Sequence, residues 1–309
     1  MIKLIDYISE SILSSTRTGK AGIDAEMKNY GLDPAKAMLN ADGTIDYDGD
    51  VMLQYCNLNK LPFNFRKVKG SFDISNNYLT TLDGCPVEVD GYFACNGCHL
   101  TTLNGAPKYV KTDFDCSENK LTSLEHVPQK LQGSFNCAKN QLKNLSGAPK
   151  KVGKSFYCYK NNLTTLAGAP KTINSSFSCS NNNLTSLKGG PSSVGNSFAC
   201  NNNHLKSLKG GPEQVGSDFG CSYNDLTTLE GAPKTVHKNF YCYGNHLTSL
   251  KGGPEQVSGD FNCADNELTT LDGAPKTVDG YFYCYVNPGD FTEKDVLAVC
   301  KIPKSNIII

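Results

Sequence analysis

Phenylalanine recurs every 21 residues, eleven times without a slip: Phe72, Phe93, Phe114, Phe135, Phe156, Phe177, Phe198, Phe219, Phe240, Phe261 and Phe282. A fixed period of about 20–50 residues is the signature of a solenoid, whose units bury their apolar faces only against their neighbours. Such an array grows by stacking rather than by enlarging one core. The 309-residue length therefore carries no expectation of two globular domains. A solenoid is also a binding surface far more often than a reaction vessel, so the period bounds function as well as fold.

The rest of the repeat can be counted from Phe as position zero. Cys stands at +2 in ten of the eleven repeats, from Cys95 to Cys284, with Ile74 in the first. Asn stands at +5 except where Cys98 replaces it, and Leu at +7 and +10 in every complete repeat. In those ten repeats Gly stands at +12 except for His126, Pro at +14 from Pro86 to Pro275, and an aliphatic residue at +17. Phe and Cys two apart share one face of a short strand and fill the interior with one large and one small group. The two leucines cover that core after the chain turns. Asn at the turn can bond backbone groups that no strand satisfies. Gly permits unusual dihedrals and Pro fixes φ at the second corner.

Residues 51–71 form a degenerate repeat in which Leu58, Leu61 and Val68 keep register while Val51 and Leu53 replace Phe and Cys. Before it, Asp42-Gly43 is a hairpin-turn signal followed by the strand-like Thr44-Ile45-Asp46-Tyr47. Helical spacing of Ile5, Ile8 and Ile12, then of Ile23, Met27 and Tyr30, predicts two short capping helices. A further helix over 292–299 and an Ile307-Ile308-Ile309 tail are predicted at the other end. The domains are thus 1–43, a helical N-terminal cap; 44–288, the solenoid; and 289–309, a C-terminal helical cap and tail.

The phrase N-x-L-T-x-L-x-G-x-P-x-x-V-x-x-x-F-x-C resembles a leucine-rich repeat of the short bacterial type, with Asn224, Leu226, Thr227, Leu229, Pro233 and Val236 in the matching places. Phe240 and Cys242 replace that family's aliphatic pair. This Phe/Cys form, with LTSLKGGPEQV and LTTLEGAPKTV, is similar to leucine-rich-repeat proteins encoded by tailed bacteriophages. The resemblance implies an α/β-type, mainly β, right-handed solenoid with parallel strands on its concave face. It also implies a non-enzymatic protein that binds a protein partner, expected to be a host protein such as an antiviral defence factor. A virion or surface receptor-recognition component is the alternative, and a cysteine-dependent enzyme the second alternative.

Lys plus Arg equals Asp plus Glu, at 30 each, so no net field draws the chain to nucleic acid or a membrane surface. The N-terminal stretch is interrupted by Asp6 and Glu10 and lacks the unbroken apolar run of a signal peptide, so a cytoplasmic location is expected, the host cytoplasm if phage-encoded. No cofactor or metal is expected. A row of thiols does not make a tetrahedral zinc site, and buried free cysteines behave as small hydrophobes. Cys98 and Cys300 lie off the ladder and are the candidate reactive thiols. Cys263-Ala264-Asp265 matches the Cys-x-Asp of some bacterial leucine-rich-repeat ligases, but Cys263 is a ladder residue. Asp46-x-Asp48-x-Asp50 lacks the Gly and Glu that complete a calcium loop. His99, His204 and His246 share position +6, too far apart to share a metal, and Arg17-Thr18-Gly19-Lys20 is an incomplete phosphate loop.

Alternation turns positions −1, +1 and +3 outward. Tyrosine fills them at Tyr157, Tyr159, Tyr241, Tyr243, Tyr281, Tyr283 and Tyr285, with Tyr223 just beyond at +4 and Asp218 and Asp260 at −1. Tyrosine supplies a large, stiff contact surface, so these residues are the expected partner-binding face.

Overall fold

The computed structural model describes residues 19–309. Each Phe opens a strand of two residues, such as Phe177–Ser178, that pairs in parallel and in register with the next, Phe on Phe. With Val51–Met52 at one end and Ile307–Ile308 at the other, these strands form a thirteen-stranded parallel sheet. The Phe rings lie in a buried file with neighbouring centroids 5.0–6.0 Å apart. Each contributes about 1.5–3 kcal/mol once its neighbour covers it. The ladder cysteines and the +7 and +10 leucines are buried beside them.

Strands this short are held by the turn that ends them. The +4 residue is left-handed in all eleven repeats, with φ between 52° and 66°, whether it is Asn76, Lys160, Gly244, Tyr223 or Val286. That kink drops the +5 Asn into the interior. Asn182 is representative: its amide donates to the carbonyls of Cys158 (3.1 Å), Cys179 (3.0 Å) and Ser180 (3.3 Å). Its oxygen accepts from the Leu163 N–H at 3.0 Å. One side chain therefore bridges two turns and satisfies four buried backbone groups, which few partners could otherwise reach.

A second row of short strands carries the +16 and +17 residues, the first mostly exposed and the second buried, as in Thr172–Ile173. It is bonded from Ile45–Tyr47 through Phe65–Val68 and Glu88–Val89 to Tyr109–Val110. Beyond that it falls into three separate groups: Lys130–Leu131 with Lys151–Val152, Thr172–Ile173 to Gln214–Val215, and Thr235–Val236 to Thr277–Val278.

At the N-terminal end, helix α1 (Lys20–Asn29) buries Met27. The 1–43 segment also holds a strand that the helical reading does not include: β1 (Ala37–Leu39) pairs antiparallel with β2 (Ile45–Tyr47) across the Asp42-Gly43 turn. Tyr30, Phe63, Phe65 and Phe72 meet edge to face at 6.1, 6.0 and 5.2 Å, closing the Phe file. The predicted helix over Ile5, Ile8 and Ile12 lies outside the described residues. At the other end, helix α2 (Glu293–Val299) begins with a Thr292/Asp295 capping box. The Ile307–Ile308 tail is not a loose end but the last strand of the Phe sheet, with Ile307 opposite Phe282.

Candidate interaction face

The tyrosines stand on the side of the Phe sheet opposite the ring file. Tyr157, Tyr159, Tyr241, Tyr243 and Tyr283 are half-buried, while Tyr223, Tyr281 and Tyr285 are exposed. Tyr157 and Tyr159 pair at 6.5 Å on one turn, separated from the others by turns bearing Ser178, Ser180, Ala199 and Asn201. The remaining six occupy the turns begun by Phe219, Phe240 and Phe282. Tyr223 meets Tyr243 edge-on at 5.0 Å, and Tyr283 touches both Tyr281 (5.9 Å) and Tyr285 (6.5 Å). Partial burial, then the nearby carboxylate of Asp260, pushes the Tyr241 and Tyr283 phenols up, so both stay protonated donors at neutral pH.

Tyr223 is placed by the +4 kink, at φ 54°, where a bulky residue is rare. Its ring lies across the next turn at Gly244, where a Cβ would come within 2.7 Å of the ring. Gly244 thus makes room for Tyr223 to reach Tyr243. The sequence carries a faint signal of this, since Gly occupies +4 in only two of the eleven repeats, Gly97 and Gly244.

Asp218 and Asp260 reach the same edge but already hold local partners. One Asp218 oxygen accepts from the Asn239 backbone (3.2 Å) and side chain (2.9 Å), the other from Ser197 (3.1 Å) and Ser217 (3.3 Å). Asp260 accepts from the Tyr281 N–H at 2.8 Å. Asp50 and Asp113 do the same for Ser71 and Ser134. The −1 carboxylates therefore satisfy backbone N–H groups that the two-residue strands leave over. Sequence reasoning misses Ile308, which pairs with Tyr283 and extends the +1 row to the end of the sheet, 38% exposed.

The thiol candidates fare differently from their reading as reactive groups. Cys98 is buried and takes the place of the missing Asn: its thiol donates to the Ile74 carbonyl at 3.4 Å, with the backbone N–H groups of Asn77 and Leu79 acting to lower its pKa. Burial pushes it up despite those contacts. Cys300 is buried too and pushed up to about 11. Cys263 donates to the Tyr283 carbonyl at 3.3 Å, facing the core, while Asp265 is the left-handed +4 residue. None of these environments favours a thiolate. Asp46 is paired with Arg66, Asp48 with Lys69 at 2.6 Å, and Asp50 with the Ser71 backbone. His204 and His246 face Asp225 (3.4 Å) and Glu267 (2.8 Å), and His99 stacks on Tyr78. Among the described residues no three His, Cys, Asp or Glu side chains converge as a metal ion would need, and no helix is long and apolar enough to cross a membrane.

Compared with protein-family models and with curated proteins, the sequence matches none. Among solved structures the fold is similar to that of YopM from Yersinia enterocolitica WA-314, with a TM-score of 0.58 at 19% identity. That match covers 84% of this chain and 63% of the other, so the chain spans less than two thirds of that protein's length. YopM from Yersinia pestis, described as a leucine-rich effector protein, is similar at a TM-score of 0.46 and 17% identity over 77% of each chain. At such identities the likeness is one of fold: the chain is a parallel-strand solenoid of the leucine-rich-repeat type, an architecture suited to protein interaction.

Proposed function

We propose that the protein is a non-enzymatic scaffold that docks a protein partner on the outer side of its Phe sheet, centred on Tyr223, Tyr241, Tyr243, Tyr281, Tyr283 and Tyr285. The observation that carries this is the clustering itself: tyrosines that touch across and within turns, with Tyr241, Tyr243 and Tyr283 half-buried and Tyr223, Tyr281 and Tyr285 exposed. Aromatic groups already fixed by packing lose little freedom on binding. The Phe row is bonded throughout while the second row breaks three times, which supports a solenoid curved toward the Phe sheet, with the tyrosines on the concave side. The resemblance to phage-encoded repeats makes the proposed partner a host factor, bound in the host cytoplasm and inhibited there.

The test is to isolate the partner from host lysate by affinity capture and mass spectrometry, then to titrate it against the native protein and a Tyr241→Ala/Tyr243→Ala/Tyr283→Ala variant. Loss of about tenfold or more in affinity is expected, the range of central interface residues. Unchanged affinity would reject this face. Recovery of the protein in purified virions rather than free in infected cells would reject the inhibitor reading.

A further inference from the structure

The neutral total conceals a segregation of charge. Residues 126–212 contain eleven lysines and no Asp, Glu or Arg, so every carboxylate side chain lies in 1–125 or 213–309. In a solenoid, distance along the chain is distance along the axis. The central turns therefore form a positive belt between two net-negative ends.

Four of these lysines converge. The second strand row is interrupted between Lys151–Val152 and Thr172–Ile173. A groove of about 650 Å³ opens there, lined by Lys130, Lys150, Lys151, Lys171, Gln132 and Asn174 among others, with no carboxylate, arginine or aromatic side chain in its wall. Lys171 donates to the Gly189 carbonyl at 3.3 Å. Among the described residues none of the four has an ion-pair partner, whereas Lys139 and Lys209 of the same belt reach Glu118 (2.8 Å) and Glu230 (2.9 Å) outside it. The interruption between Val215 and Thr235 also opens a groove, of about 480 Å³, but there Glu213 stands beside Lys234 and His237. Of these two grooves, only the one between Val152 and Thr172 has no carboxylate in its wall.

We propose that the lysine groove binds an extended acidic peptide segment of a protein partner, at a site separate from the tyrosine face. Charge complementarity selects the ligand's sign. The interrupted row leaves strand edges whose backbone groups can bond an extended chain. Single-stranded nucleic acid fits less well, because it is held on aromatic stacking platforms, and the wall has none.

The experiment uses the full chain and a fluorescein-labelled Asp/Glu peptide followed by anisotropy. Native protein binds it, and binding weakens as salt rises from about 0.05 to about 0.5 M. A Lys130→Gln/Lys150→Gln/Lys151→Gln/Lys171→Gln variant is expected to lose about tenfold or more, the scale of several close charge pairs. A control, Lys160→Gln/Lys188→Gln/Lys206→Gln/Lys209→Gln, removes the same charge from the belt but leaves the groove, and is expected to lose less than about threefold. Equal losses in the two variants overturn the groove in favour of a diffuse field. Tighter binding of an oligothymidylate of equal length, or displacement of the peptide by equimolar inorganic phosphate, overturns the ligand class. Circular dichroism checks both variants. If the fourfold groove variant does not fold, Lys151→Glu alone must still weaken the peptide more than Lys188→Glu does, or the proposal fails.

Discussion

The two strand rows run along the same solenoid, yet one is bonded from end to end and the other breaks three times. Both are built from strands of mostly two residues, so backbone pairing alone does not separate them. The Phe row is flanked by three side-chain ladders: the rings, the thiols and the buried asparagines. The second row has one buried aliphatic residue per turn and a mostly exposed neighbour. Continuity therefore comes from the ladders, and where they are absent neighbouring turns can part. The constraint and the freedom are complementary. Invariant positions hold the Phe row, while the second row tolerates Lys151, Thr172 or Gln214 at one position and so can carry a groove.

The largest difference between the rows should appear at alkaline pH, because all ten ladder thiols belong to the Phe row. Burial raises each of them in the fold, Cys179 to about 12 and Cys284 to about 11. In the unfolded chain they ionise near their ordinary value of about 8.5. Their contribution is thus fully present below about pH 8.5 and is lost as pH climbs toward the folded values. Each thiol that ionises only when unfolded removes about 1.4 kcal/mol per pH unit, so a handful would exhaust a stability of about 5–15 kcal/mol. The urea midpoint, followed by circular dichroism, should collapse between about pH 9 and about pH 10.5. A Cys137→Ala/Cys158→Ala/Cys179→Ala variant should show a shallower fall. A flat midpoint across that window would mean the ladder is not closed to solvent.

The second contrast tests the asparagines. Asn182→Ala leaves the Leu163 N–H and three carbonyls without their side-chain partner and should cost about 3 kcal/mol. Thr172→Ala, at an exposed position of the second row, should change stability by less than about 0.5 kcal/mol. Equal costs from urea titrations would remove the distinction between the rows.

The side of the molecule that repeats was plain in the sequence, because Phe, Cys, Asn, Leu and Pro each meet one unvarying demand. The left-handed +4 position was not, since the kink is imposed by its neighbours and accepts Glu118, Lys139 or Val286 alike. Ile307–Ile308 looked like a tail because two residues have no periodicity to reveal a strand. The local partners of Asp218 and Asp260 were not legible, because alternation shows which way a side chain points but not which backbone N–H groups the strand leaves over. The charge segregation was present in the sequence, but a balanced total hides it until the fold turns chain position into axial position. The tyrosine positions followed from the ladder; Gly244 and Ile308 required the register of neighbouring turns.

The smallest contrast lies within the Phe row itself, at the one repeat where its Asn ladder is broken. Cys98 replaces the amide with a thiol that makes a single weak donation, 3.4 Å to the Ile74 carbonyl. An asparagine there would also reach the carbonyls of Cys95 and Asn96, as Asn119 reaches those of Cys116 and Ser117 at 3.2 and 3.1 Å one turn on. Cys98→Asn should therefore stabilise the protein by about 1 kcal/mol, the net value of a hydrogen bond or two in a site already shaped for the amide. The gain should appear as a higher urea midpoint with an unchanged slope. A loss of stability would show that the turn has repacked around sulfur, and that the ladder is maintained repeat by repeat rather than by the row as a whole.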